Sequence, residues 1–281
     1  MEKTAFVLIT DRLYYIKAIV TILDLRTIGC WDNDIVLITI DFDLDEKIKD
    51  QFNLINIKFP VIDKTNLLEN IGPNGFSNSD KREINKLNQW EKLHVFDDYF
   101  LNWEKVVYLD AGLRVLDDVK YLLELDCKNK ILAPNDASPN FRPEQIFKHQ
   151  ISYDNEKKVE LLKDDFGEEI FGKCHMLNCM WVYDTNILKI CNKQQLIDAM
   201  NKYTLCKTNE MGIMNLLFHF KYNLWSEFPL KASNGKYLFE WCELNHSHHT
   251  TWRDYCFIKY PITIRLEERP SYEIPPVFDG L

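Results

Sequence analysis

The chain has 281 residues, 46% of them hydrophobic and 27% charged. That is enough to bury roughly three quarters of the unfolded surface, and the balance excludes a disordered chain. A net charge of -9 and a pI near 5.3 argue against a nucleic-acid partner, because such binding rests on Lys and Arg neutralising phosphates.

The apolar run before Asp11 is too short for a signal sequence or a membrane span. No other spanning run is present, so a soluble, cytoplasmic protein is expected. Eight cysteines without an export signal point to reduced, buried thiols. Abundant Asn, Lys and Ile fit an AT-rich coding genome, a viral one among the candidates.

In chain order, Ala5–Thr10 is a fully apolar run that ends at Asp11 and reads as a buried parallel strand. Tyr14–Arg26 has apolar residues at helical spacing, Ile35–Ile40 repeats the strand signal, and Leu44–Phe52 reads as helix. Ile55–Ile62 is a third strand broken by Pro60. This alternation predicts an α/β fold with right-handed crossovers and a mostly parallel, Rossmann-like sheet flanked by helices. Ligands of such sheets lie beyond the C-terminal ends of the strands.

Residues 66–80 read as a loop over that edge, and 81–100 as a long amphipathic helix carrying Leu87, Trp90, Leu93, Phe96 and Phe100. Lys105–Leu109 is the next strand. Residues 137–171 look irregular, a candidate acceptor-binding insertion. Met176–Tyr183 returns to strand character, Asn186–Tyr203 and Glu210–Phe220 look helical, and the Pro-rich end from residue 270 reads as a surface wrap. A single domain is expected, with a nucleotide-binding half over about 1–135 and an acceptor and donor-sugar half over about 136–281.

The strongest local signal is Lys105–Val119, where an apolar strand delivers Asp110 to the sheet rim. A carboxylate there can hold a divalent cation against a diphosphate, or it can simply end the strand and cap the following turn.

Around this segment the sequence resembles the glycogenin-like glycosyltransferases of family 8. Three motifs carry the resemblance: Thr10-Asp11 with Tyr14, then Glu91-Lys92-Leu93-His94, then Asp110-Ala111-Gly112. Further on, Leu177–Tyr183, Glu210–Asn215, and His249 with Trp252 follow in the family's order.

The resemblance implies a GT-A fold and transfer of a sugar from a UDP-sugar to a glycan or protein hydroxyl, with retention. Leu8, Thr10, Asp11 and Tyr14 would line the uridine and ribose, and Lys92 would reach the ribose or phosphate. Asp110, Ala111 and Gly112 would lie at the donor diphosphate. Glu210 and Asn178 would position the sugar, and Asp110 and His249 would ligate Mn²⁺ or Mg²⁺. A second copy of the chain is a further candidate partner.

Gly112 departs from the family by replacing the second acid of Asp-x-Asp, and Glu210 replaces an Asp. The first departure leaves three readings open: a weak metal site, metal-free transfer with Lys92, Arg114 or Arg253 offsetting the phosphates, or a degenerate relative that binds nucleotide sugar or glycan without turnover. Cys242, His246, His248, His249 and Cys256 offer a rival zinc site, although their spacing matches no closed finger. A dehydrogenase would need a Gly-rich turn after the first strand, which Asp11-Arg12-Leu13 does not supply.

Overall fold

The computed structural model describes residues 3–70, 86–136, 146–204, 210–241 and 254–259. The first elements are β1 (Thr4–Thr10), α1 (Tyr15–Thr27), β2 (Ile35–Thr39), α2 (Glu46–Phe52), β3 (Leu54–Ile57) and α3 (Thr65–Asn70). There follow α4 (Lys86–Gln89), β4 (Lys105–Leu109), β5 (Leu113–Val115), α5 (Lys120–Leu123), β6 (Ile131–Ala133) and α6 (Glu156–Phe166). The remaining elements are β7 (Met180–Asp184), α7 (Lys193–Tyr203), α8 (Met211–Met214), β8 (Trp225–Glu227), β9 (Tyr237–Trp241) and β10 (Tyr255–Lys259).

They form two compact units, one of residues 1–13, 33–110 and 126–228, the other of 14–32, 111–125 and 229–281. The first unit is built on a seven-stranded sheet in the order β3-β2-β1-β4-β7-β6-β8. Every neighbouring pair is parallel except those of β7, which runs antiparallel to β4 and to β6. The C-terminal ends of β1, β4 and β6 therefore share one edge with the start of β7.

All seven residues of β1 and all five of β2 and β4 are buried, as expected for strands covered on both faces. Val7, Val36, Val106 and Trp181 of one sheet face pack into a single core with Leu162 of α6 and Leu196 and Met200 of α7. α2 begins where the Asp45 side chain accepts a hydrogen bond from the Lys47 amide at 2.8 Å, and it ends where Asn53 turns left-handed at φ 48°, a conformation Asn tolerates.

Three expectations change. The long helix over 81–100 is, within the described residues, a single turn of α4 followed by 3₁₀ segments at Trp90–Phe96 and Asp98–Asn102. Trp90–Phe96 is buried at every residue, so it has no solvent face to hold an amphipathic helix. At Asp97 the backbone is extended, and the side chain accepts from the Tyr99 amide at 2.9 Å to start a new segment.

The stretch read as irregular contains α6, capped by Asn155 and stopped by Gly167 at φ 81°. Only Val159 and Leu162 of that helix are buried, too thin an apolar stripe to show in the sequence. The helix expected over 210–220 is α8 followed by a π-helical segment, Asn215–Lys221.

The second unit holds α1 and a three-stranded sheet in the order β5-β10-β9. Its internal tie is Arg114 of β5, which donates to Asp24 of α1 through Nε (2.6 Å) and Nη2 (3.2 Å); both residues are buried. Asp24 also accepts from the Val115 amide at 3.2 Å. Removing one member of a buried, bidentate pair strands the other charge, typically at about 3–5 kcal/mol. Arg114→Met should therefore lower the urea midpoint followed by circular dichroism, more than the doubly neutral Asp24→Leu/Arg114→Met does.

Candidate active site

Four residues far apart in sequence meet at the edge where β4 ends and β7 begins. Lys92, from the buried 3₁₀ segment, places its ammonium 2.8 Å from Asp110 Oδ1 and 3.2 Å from Glu210 Oε1, and donates to the Asn178 carbonyl at 3.2 Å. Three acceptors match the three N–H bonds of an ammonium. Asn178 Nδ2 in turn donates to Glu210 Oε1 at 2.5 Å, and the Asp110 amide is held by the Cys179 carbonyl at 2.9 Å.

The 3₁₀ geometry of Trp90–Phe96 explains how Lys92 is aimed. Three residues per turn superpose i and i+3, so the segment has three faces. Trp90, Leu93 and Phe96 face the apolar core. Glu91 and His94 form the second face, with His94 Nε2 2.9 Å from Glu91 Oε2. There the buried Lys64 ammonium donates to Glu91 and Phe59 stacks on the His94 ring at 4.7 Å. Lys92 takes the third face.

Tyr108 adds a partner the sequence reading passed over. Its hydroxyl donates to Asp110 Oδ1 at 2.7 Å, and its ring stacks on Trp181 with centroids 3.9 Å apart. The signal was available, since residues i and i+2 of a strand share a face. Burial and the Asp110 charge hold the Tyr108 phenol well above its ordinary range.

Two carboxylates share one ammonium here. Burial works against the Lys92 charge, yet Asp110 and Glu210 outweigh it and raise the group above the usual lysine value. Burial pushes Glu210 up to about 7, with the Lys92 charge pulling the other way. Glu210 Oε2 is buried and has no hydrogen-bond partner among the described residues.

The other expected site residues fall elsewhere. Thr10 and Asp11 close β1, where Asp11 Oδ2 accepts from Asn88 Nδ2 at 2.9 Å, whereas Leu8 is wholly buried mid-strand opposite Leu37. Tyr14, Ala111 and Gly112 belong to the second unit. His249, Trp252 and Arg253 lie outside the described residues, as do Cys242, His246 and His248 of the rival zinc set, while Cys256 is buried in β10 with its thiol pushed up to about 11 by burial. None of the six described cysteines is in a disulfide.

No known family profile matches the sequence, and no characterised protein matches it by sequence. Solved structures do match. A galactosyltransferase LgtC, solved as an active-site mutant, superposes with a TM-score of 0.58 at 15% identity, over 91% of this chain and 86% of that one. LgtC in complex with donor and acceptor sugar analogs gives 0.53 at 16% identity, over 79% and 72%. The bifunctional glycosyltransferase WbbM gives 0.54 at 15% identity over 85% of this chain, which spans only 40% of WbbM. The fold is that of the GT-A glycosyltransferases.

Lys92 and Tyr108 both engage Asp110 Oδ1, Gly112 has no side-chain ligand atom, and among the described residues, which do not include His249, there is no group of three His, Cys, Asp or Glu that could hold a metal. Nor does any described helix have the length and apolarity to cross a membrane.

The Glu210 shift has a readable sign. The folded state keeps this proton up to about pH 7 while the ordinary value is 4.5, so its contribution makes stability decline as pH rises through that window. Glu210→Gln should remove the decline: its melting temperature relative to wild type should rise from pH 5 to pH 8. Parallel curves would mean that another group titrates.

Proposed function

We propose that the chain transfers the sugar of a UDP-sugar to a hydroxyl acceptor on a glycan or protein, with retention of anomeric configuration. The observation that carries this reading is the Lys92, Asp110, Asn178 and Glu210 cluster at the strand-end edge of a GT-A sheet. Ligands of open α/β sheets bind beyond that edge, and likeness to solved glycosyltransferases supports the same reading.

In this reading the cluster holds the sugar rather than breaking bonds itself. Glu210 and Asn178 present a carboxylate and an amide to sugar hydroxyls, and the buried Oε2 of Glu210 gains a donor when one arrives. Lys92 keeps both acids in place, so the site is organised before substrate enters. The acceptor hydroxyl attacks from the face that the nucleoside diphosphate leaves. Thr10 and Asp11 take the uridine and ribose.

Asp110→Ala and Lys92→Ala, in preparations that far-UV circular dichroism shows to be folded, should each reduce UDP release from the donor by at least about a hundredfold, because each removes preorganised charge from the site. Wild-type turnover in either variant would sink the assignment. Measurable UDP affinity with no transfer by the wild-type chain would mark it as a binding protein instead.

A further inference from the structure

Asn215 lies behind the Asn178 and Glu210 pair, fully buried where α8 passes into the π-helical segment. Its carboxamide makes three hydrogen bonds. Oδ1 accepts from the Met176 amide at 2.8 Å, while Nδ2 donates to the Met176 carbonyl at 3.0 Å and to the Met211 carbonyl at 2.9 Å. A carboxamide has two N–H bonds, so both are spent on these carbonyls.

Met176 needs such a partner because of its place on the approach to β7. Its neighbours pair with the chain beyond β6: the Asp136 amide donates to the His175 carbonyl at 3.1 Å, and the Leu177 amide to the Pro134 carbonyl at 2.7 Å. Alternation along an extended chain turns the amide and carbonyl of Met176 the other way, and Met176 is wholly buried, so leaving them unmade would be costly. Asn215 answers both groups as a neighbouring strand would, with one donor and one acceptor from a single side chain.

The two ends of this clamp adjoin the site. Met211 follows Glu210, and Met176 stands two residues before Asn178. The bond to Met211 is the i to i−4 kind that short polar side chains make inside a helix, whereas the bonds to Met176 cross to another element. Asn178 and Glu210 are themselves linked by the bond from Nδ2 to Oε1. Glu210 Oε2 has no partner among the described residues, so its direction is set by the bonds at Oε1 and by the backbone that carries the side chain. All of these residues belong to the first unit.

We propose that Asn215 is a positioning residue of the transfer site: it locks the backbone ahead of Asn178 to the turn that carries Glu210, and so sets the spacing at which that pair meets the donor's sugar. The assignment rests on the nucleotide-sugar reading above and adds to it the residue that holds the sugar-facing groups in register. Asn215 is enclosed and acts only through them.

The test is Asn215→Ser in the full chain. A serine hydroxyl can still return to the Met211 carbonyl but is too short to reach Met176. Nuclear magnetic resonance of protein labelled with ¹⁵N at asparagine follows the Nδ2 protons of Asn178, identified by their loss in Asn178→Asp. Those of Asn56, which donate to the Leu37 carbonyl at 2.9 Å elsewhere in the same unit, report any general loosening. In the variant the Asn178 protons should exchange with water about tenfold faster while those of Asn56 keep their rate, as expected for the loss of buried hydrogen bonds at one place. The kcat for UDP release from the donor should fall about tenfold with UDP affinity by calorimetry unchanged, because the loss is felt at the sugar and not at the nucleotide.

Unchanged exchange at Asn178, equal acceleration at Asn178 and Asn56, or an undiminished kcat overturns the proposal. Should Asn215→Ser fail to fold, the wild-type spectrum decides: the Nδ2 protons of Asn215 must be as protected as those of Asn178, and exchange as fast as at exposed Asn186 sinks the clamp. Wild type that releases no UDP from any UDP-sugar, with Asn178 exchange still dependent on Asn215, rejects the transferase and keeps the clamp. Full turnover in a variant whose Asn178 is undisturbed does the reverse.

Discussion

The buried ammonium of Lys92 is the interaction on which the first unit's edge depends. An unpaired charge in that position would cost far more than folding can spare, so the chain must bring acceptors to it from three directions. Asp110 comes from the end of β4, the Asn178 carbonyl from the approach to β7, and Glu210 from the entry to α8. The antiparallel insertion of β7 makes this convergence possible, since it turns the start of one strand toward the ends of its neighbours. With two acids to one ammonium, the cluster is held together and also kept hungry for a donor.

How much of this the sequence disclosed depends on the range of the interaction. β1, β2 and β4 were legible because strands buried on both faces read as unbroken apolar runs, and Lys105–Leu109 has the bounds expected of it. The 3₁₀ segment was misread because its apolar residues at intervals of three also satisfy a helical template, and only tertiary burial distinguishes the two. Asp110 was legible as the acid that ends an apolar strand, whereas Lys92, Asn178 and Glu210 were named through family likeness, and no periodicity would have joined positions so far apart.

The second unit solves a different electrostatic problem. Arg114 and Asp24 neutralise each other in its interior, so its core asks for no ligand.

The three-faced segment at Trp90–Phe96 also limits how the chain can vary. One residue added or lost there rotates every later face by about a third of a turn, exchanging the positions of core, ion pair and site at once. Substitutions can be absorbed one face at a time, whereas a change of length cannot. In any lineage that retains the site, this stretch should therefore behave as a fixed ruler, free of gaps even where its letters have drifted beyond recognition.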